Sequence, residues 1–176
     1  MSLAALMSSD KTTWQTPDVV LDLVRQLSPI ALDPCTVPEN PTGARVICVE
    51  RMPREPGRLT YVDGLDQSWP ALARDGGGLI YVNPPFGRGV ATWMARCYGA
   101  KRWGCEVVAL VPARVDTIWW NCWVAPPTAQ AVCFWRGRLT FKGAPAPAPF
   151  PSAIVYWGPR PHRFADVFST VGAIWS

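Results

Sequence analysis

The residues best suited to chemistry in this chain are Asn83-Pro84-Pro85-Phe86, which directly follow the apolar run Leu79–Val82. This run is β-branched and aromatic and comes after three glycines, so it predicts a short buried strand. Pro84 restricts Asn83 to extended geometry, and neither proline can donate to a sheet ladder. The sequence therefore predicts a rigid polar exit at the carboxyl end of a strand, where open α/β sheets bind their ligands.

Two acceptors in this tetrapeptide, the side-chain carbonyl of Asn83 and the backbone carbonyl of Pro84, are held close together. An exocyclic amine has two N–H donors and can satisfy both, while Phe86 offers a ring for stacking of the attached heterocycle. The nitrogen lone pair then points away from both acceptors and is available to attack an electrophilic methyl group. The alternative is a proline-stiffened strand exit without chemistry.

Length and composition favour one well-packed domain. The chain has 176 residues, of which 49% are hydrophobic and ten are tryptophan, and this is ample for a core. We expect residues 1–13 to form a flexible N-terminus and residues 14–176 a single domain. We find no apolar run of membrane-spanning length and expect no secretory signal.

The six cysteines, at positions 35, 48, 97, 105, 122 and 133, predict neither a metal site nor a disulfide framework. No two of them form a Cys-x-x-Cys pair, and His162 is the only histidine. We therefore expect no metal, and cysteines that act as small apolar residues in a reducing cytoplasm.

Charge is unevenly distributed along the sequence. Residues 1–86 contain seven Lys/Arg and ten Asp/Glu, a net charge of −3, whereas residues 87–176 contain ten and three, a net charge of +7. A basic half beside an acidic half is typical of an enzyme that holds a polyanion with one side. A surface charge that varies without any partner is the alternative.

Strand-like and helical segments alternate in the first part of the chain. A helix is predicted from Thr16, as N-cap, and Pro17 to about residue 27. A loop is expected after Trp69-Pro70. Residues 136–142 are expected either to form a hairpin with the strand before them or to extend that strand. Strands are predicted at 30–35, 44–49, 58–62, 79–82, 106–111, 131–135 and 152–157, and further helices at 90–100 and 118–124. This order predicts an α/β sheet with an antiparallel edge.

Carboxylates lie at the ends of three of the predicted strands. Asp33 and Pro34 close the apolar part of the strand at 30–35, Glu50 follows the strand at 44–49, and Asp63 follows the strand at 58–62. Strand-end acids bind the hydroxyl or amino groups of small polar cofactors in nucleotide sites. The Asp33 and Asp63 segments also suit ordinary turns, and the loop after Asp33 lacks the Gly-x-Gly sequence usual at such a site.

Six motifs, in order along residues 14–157, resemble the phage-type DNA N-6-adenine methyltransferase family, also called the phage Dam family. They are Trp14-Gln15-Thr16-Pro17, Leu32-Asp33-Pro34-Cys35, Asp63-Gly64-Leu65 with Trp69, Tyr81-Val82-Asn83-Pro84-Pro85-Phe86, Leu110-Val111-Pro112-Ala113-Arg114 with Trp119-Trp120, and Arg136-Gly137-Arg138-Leu139-x-Phe141. The resemblance implies a Rossmann-like class I methyltransferase fold that uses S-adenosylmethionine (SAM). Its sheet would be mostly parallel, with an antiparallel edge and helices on both faces.

The resemblance also implies the activity: methyl transfer to the N6 amine of adenine in DNA, with double-stranded DNA favoured, in the cytoplasm of a bacterial or phage-infected cell. The target base would be flipped out of the helix to reach the site. Asn83, Pro84, Pro85 and Phe86 would orient its amine. The residues implied to contact SAM are Gln15, Thr16, Pro17, Asp33, Pro34 and Cys35 around its methionine part, and Asp63, Gly64 and Leu65 near its ribose and adenine. The candidates for phosphate contacts are Arg88, Arg114, Arg136, Arg138 and Lys142.

Other functions share these features. An RNA adenine, a cytosine amine or a glutamine amide presents the same –NH₂ group to the Asn83 motif. A non-catalytic DNA-binding or SAM-sensing module with this fold is an alternative of another class. The recognition sequence, the oligomeric state and any contact of Glu50 with SAM stay open at this point.

Overall fold

The computed structural model of the chain describes residues 14–49, 63–76 and 78–176. The strands are β1 (Ile30–Thr36), β2 (Val46–Val49), β3 (Leu79–Val82), β4 (Val107–Pro112), β5 (Ala131–Trp135), β6 (Ser152–Trp157) and β7 (Gly172–Trp175). The helices are α1 (Asp18–Leu27), α2 (Trp69–Gly76), α3 (Val90–Arg102), α4 (Ile118–Trp123) and α5 (Pro161–Phe168), with a 3-10 turn at Gly64–Asp66. All seven strands join one sheet in the order β2-β1-β3-β4-β6-β5-β7.

The sheet is mostly parallel. β1 pairs in parallel with β2 and β3, and β3 with β4, whereas β6 is antiparallel to both β4 and β5, and β7 is antiparallel to β5. Strands β1 to β5 therefore all run in one direction, and β6 and β7 run in the other. The edge at which β1 to β5 end, called the carboxyl edge below, collects the residues that follow each of these strands.

Helices cover both faces of the sheet, as predicted. Successive side chains of a strand point to opposite faces. Ile80 and Val82 accordingly pack in a core with residues of α2, α3 and α4, while Leu79 and Tyr81 pack in a second core with residues of α1 and α5. No helix within the described ranges is long and apolar enough to cross a membrane.

The antiparallel strands are not confined to the edge, which corrects the sequence prediction. β6 lies inside the sheet between β4 and β5, because residues 136–151 turn the chain back at the carboxyl edge. The outer strand on this side is β7, which the sequence does not predict. The hairpin expected at residues 136–142 is also wrong. Both sides of β5 are occupied by β6 and β7, and Lys142 makes only an isolated bridge with Gln15.

One predicted loop is helical instead. Residues 69–76 form α2, since Trp69 and Ala73, one helical turn apart, are both buried in the core. The strand predicted at 58–62, the flexible segment 1–13 and Glu50 lie outside the described residues. The remaining predicted strands and helices are confirmed, with ends that shift by one or two residues.

Candidate functional site

A cleft opens at the carboxyl edge where β1 and β3 end. It contains about 450 Å³ of space not filled by atoms, including the part open to solvent. Three segments that the sequence singles out line it together: Gln15 and Thr16 before α1, Asp33 and Cys35 of β1, and Asn83, Pro84 and Pro85 after β3.

Asn83 has one satisfied and one unsatisfied polar group. Its Nδ2 donates a hydrogen bond to the backbone carbonyl of Trp14. Its Oδ1 is buried and has no hydrogen-bond partner among the described residues. A buried acceptor without a partner costs about 1–3 kcal/mol. Such an atom on a side chain that lines a cleft is suited to a ligand that donates a hydrogen bond.

Thr16 holds the strand exit rather than capping a helix. Its Oγ1 lies 2.8 Å from the hydroxyl of Tyr81 in β3, and both side chains are buried. Helix α1 begins at Asp18 with Pro17 in the N-cap position and no side-chain cap, so the predicted capping role of Thr16 is wrong. The physical reason is the fully buried Tyr81 hydroxyl, which needs a partner more than the exposed helix end does.

The segment before α1 is attached to the site at further points. The carbonyl of Gln15 accepts a hydrogen bond from the Lys142 amide at 2.9 Å. The Trp14 ring lies 5.1 Å from that of Phe141 and 6.0 Å from that of Phe150. The Trp14 carbonyl, which fixes the Asn83 amide, is therefore positioned by contacts that the sequence motif alone does not reveal.

Asp33 supplies a buried carboxylate to the same cleft. The β1–β2 register shifts between Asp33 and Thr36, an irregularity that redirects side chains at this strand end. Asp33 is 3% exposed, and its Oδ1 accepts a hydrogen bond from the Cys35 amide at 3.2 Å. Burial raises the pKa of Asp33 to about 6, although hydrogen bonds from Cys35, Thr42 and Thr36 oppose the shift. A desolvated carboxylate of this kind favours a cationic ligand.

An asparagine-centred turn replaces the glycine-rich loop usual after a first strand. Asn40 donates to the Ala44 carbonyl at 2.9 Å and accepts from the Thr42 hydroxyl and the Ala44 amide, both at 3.1 Å. Thr42 and Thr36 are buried and line the cleft. Sequence reasoning missed these residues. The sequence feature that could have revealed them is the Pro-, Asn- and Thr-rich composition of residues 36–43, which is typical of turns stabilised by side-chain hydrogen bonds.

Asp63, Gly64 and Leu65 lie beside the cleft but do not line it. Gly64 packs so closely on β1 that a Cβ atom there would be 1.8 Å from the Pro34 carbonyl oxygen. The Gly64 carbonyl accepts from the Trp69 indole at 2.7 Å, and the Asp63 carboxylate accepts from the Leu65 amide at 2.9 Å. The structure thus places this segment against the end of β1.

Phe86 also lies outside the cleft lining. Its ring makes edge-to-face contacts with Phe141 at 5.7 Å and Phe150 at 5.5 Å. Because both of these rings also contact Trp14, Phe86 joins an aromatic cluster that ties residues 141–150 to the exit of β3. Pro17 and Pro34, two further predicted site residues, do not line the cleft either.

The five basic residues predicted to contact DNA follow strands that end at the carboxyl edge. Arg88 follows β3, Arg114 follows β4, and the other three follow β5. All five are exposed, and four of them form no ion pair with a described residue. The exception is Lys142, whose Nζ lies 3.1 Å from a carboxylate oxygen of Asp18. Exposed cations therefore share one edge with the cleft.

A family model described as DNA N-6-adenine-methyltransferase (Dam) matches residues 4–151. This match decides the family. The chain belongs to the Dam family. The resemblance inferred from its six motifs is thereby confirmed, and the family indicates a transferase that methylates N6 of adenine in DNA. No curated protein and no solved structure shows a significant match to the chain. The residues matched by the Dam family model include every segment that lines the cleft.

The Thr16–Tyr81 hydrogen bond predicts a non-additive pair of substitutions. Tyr81→Phe and Thr16→Val should each lower the free energy of unfolding by about 1–3 kcal/mol, because each leaves a buried hydroxyl unpaired. The double variant should lose less than the sum of the two, since neither hydroxyl then remains. Urea unfolding measures all three. Tyr98→Phe, at a hydroxyl without a hydrogen bond to a described residue, is the control, and strict additivity would contradict the coupling.

Burial of Asp33 predicts that its carboxylate destabilises the folded chain at neutral pH. Its pKa is about 6 in the folded chain against an ordinary 3.8, so the folded state holds the proton more tightly and stability falls as pH rises between these values. Asp33→Asn should therefore raise the free energy of unfolding by up to about 3 kcal/mol at pH 7.5, and by less at pH 4.5.

Urea unfolding at the two pH values, without added ligand, tests this prediction. Asp63→Asn is the matched control because Asp63 is exposed, and we expect it to change little at either pH. A lower stability of Asp33→Asn at pH 7.5 would show that the carboxylate is structural rather than kept for a ligand.

Proposed function

We propose that this member of the Dam family transfers a methyl group from SAM to N6 of adenine in DNA, at the cleft between β1 and β3. The observation that carries the proposal is the buried Oδ1 of Asn83, which has no partner among the described residues. An adenine amine has the donor that this acceptor requires. The match to the Dam family supports adenine in DNA over the other amines that fit the same acceptor.

The residues that line the β1 side of the cleft suit SAM. Bound SAM would supply a methyl group made electrophilic by a positively charged sulfur. Asp33 would accept a hydrogen bond from its amino group, and a cation beside this desolvated carboxylate offsets the cost of its burial. Gln15, Thr16 and Cys35 would surround the rest of its methionine part. Asp63, Gly64 and Leu65 would lie toward its ribose and adenine, since they pack against the end of β1.

Asn83 and Pro84 would orient the target amine. The Trp14 carbonyl holds the Asn83 amide in one orientation, so Oδ1 is the atom left to accept an N–H from the base. The Pro84 carbonyl would accept the second N–H, and the nitrogen lone pair would then face the methyl carbon. Neither an amide nor a peptide carbonyl is a base at neutral pH, so both groups position the amine rather than deprotonate it. The proton that N6 would lose on methylation would pass to water.

The order of strands supports a Rossmann-like class I methyltransferase fold with DNA on one side. Along the carboxyl edge, the proposed cofactor residues follow β1, Asn83 follows the adjacent β3, and the exposed arginines follow β3, β4 and β5. Arg88, Arg114, Arg136 and Arg138 would contact phosphates of duplex DNA. Lys142 would add to them, since its exposed pair with Asp18 contributes little to stability and is readily exchanged.

Asn83→Ala tests this proposal. The variant should lose methyl transfer to DNA by at least about 100-fold, because the amine is no longer positioned, while its affinity for SAM changes less than about threefold. Transfer of labelled methyl groups from SAM to unmethylated plasmid DNA measures the first quantity, and calorimetric titration with SAM the second. Near-normal transfer by the variant would refute the role of Asn83. Loss of SAM binding together with transfer would show that Asn83 supports the cofactor site instead.

A further inference from the structure

Two large apolar side chains are exposed on the turn formed by residues 113–118, which follows β4 at the carboxyl edge. Ile118 is 84% exposed and Val115 is 54% exposed. Arg114, next to them, is also exposed and forms no ion pair with a described residue. Isolated apolar residues on a surface are ordinary, but two on one turn beside an exposed cation are suited to an interaction surface.

The turn is held in place by its own hydrogen bonds. The Thr117 hydroxyl donates to the Arg114 carbonyl at 2.7 Å and accepts from the Trp120 amide at 3.4 Å. The Asn121 side-chain amide donates to the carbonyls of Val115 at 3.2 Å and Thr117 at 3.0 Å. These bonds fix the backbone so that Val115 and Ile118 stay in solvent instead of folding onto the core.

The position of the turn relates it to the cleft. β4 is the neighbour of β3 in the sheet and runs parallel to it, so the turn emerges beside the strand exit that carries Asn83. The Ala113 amide donates to the Pro151 carbonyl at 2.8 Å, which ties the turn to the end of the 136–151 loop. The turn therefore follows the strand next to the one that ends at Asn83, and it contacts the end of the loop that carries Arg136 and Arg138.

We propose that Ile118 and Val115 form a wedge that packs against the base stack of duplex DNA where the target adenine leaves it, while Arg114 contacts the adjacent phosphate. This inference rests on the proposed function. A flipped base leaves an unstacked step, and proteins stabilise such steps by inserting apolar side chains, isoleucine among them. A rigid apolar tip beside the amine-orienting residue has the chemistry and the location for this contact.

Charge favours DNA over a second copy of the chain as the occupant of this surface. Arg88, Arg114, Arg136 and Arg138 all follow strands that end at the carboxyl edge, and Asp116 is the one acid within residues 113–118. Two copies that met through this surface would bring these cations together at a cost, whereas a DNA backbone complements them.

Ile118→Ser tests the wedge, with plasmid DNA that lacks adenine methylation as the substrate. At saturating DNA, its rate of methyl transfer to the duplex should fall at least tenfold, and Ile118→Met should restore it to within about threefold of the wild-type rate. Trp103→Ser removes an apolar side chain that is 80% exposed at the opposite edge of the sheet, so it is the matched control and should retain the wild-type rate. Equal thermal unfolding midpoints show that all variants fold.

Heat-denatured plasmid distinguishes a role of Ile118 in base flipping from a general effect of the substitution on methyl transfer, because bases in denatured DNA need not leave a duplex. If the wild-type chain methylates denatured DNA, the Ile118→Ser defect on it should be at least threefold smaller than on the duplex. If the wild-type chain does not methylate denatured DNA, the methylation rates of Ile118→Ser and Ile118→Met on the duplex test the wedge. A duplex rate within twofold of wild type, an equal defect on both forms, or a wild-type dimer that Ile118→Ser dissociates would overturn the wedge. Wild-type transfer to neither form would instead refute the proposed function.

Discussion

The hydrogen bond from the Asn83 side chain to the Trp14 carbonyl is the contact on which the proposed site depends. An asparagine amide can rotate to present either its donor or its acceptor. Because Nδ2 is engaged by a backbone carbonyl, Oδ1 is the group left for a ligand, and it is buried without a partner among the described residues. The folded chain therefore holds an acceptor ready, at a cost of about 1–3 kcal/mol, that a bound amine would recover.

The same edge of the sheet carries a second unfavourable group. Asp33 is a carboxylate buried beside Asn83's cleft, and its raised pKa records the cost of that burial. The packing around the site offsets both costs. Helices cover both faces of the sheet, and the Thr16–Tyr81 hydrogen bond anchors the chain before α1 to β3. Buried polar groups that are costly to a stable scaffold, whether an acceptor without a partner or a desolvated carboxylate, are expected where a ligand offsets the cost.

Local sequence patterns predict most of this fold and the segments of the site, because they depend on residues close in the chain. Asn83 directly follows an apolar run, so its place at a strand end is predicted without knowledge of the fold. Asp33 was expected to end its strand, but β1 continues past it to Thr36. The Trp14 contact, the Tyr81 partner of Thr16 and the insertion of β6 between β4 and β5 depend on distant pairings. No local pattern reveals these. α2 was missed because Pro70 and the following glycines resemble a loop, although Trp69 and Ala73 keep helical spacing.

The most direct test of the central claim is the nucleoside composition of DNA from cells that lack adenine methylation of their own and express this chain. We predict that N6-methyladenine appears in that DNA when the wild-type chain is expressed and is absent when Asn83→Ala is expressed at the same level. N4-methylcytosine alone, or N6-methyladenine at equal levels with both proteins, would contradict the account of Asn83 as the group that presents an adenine amine for methylation.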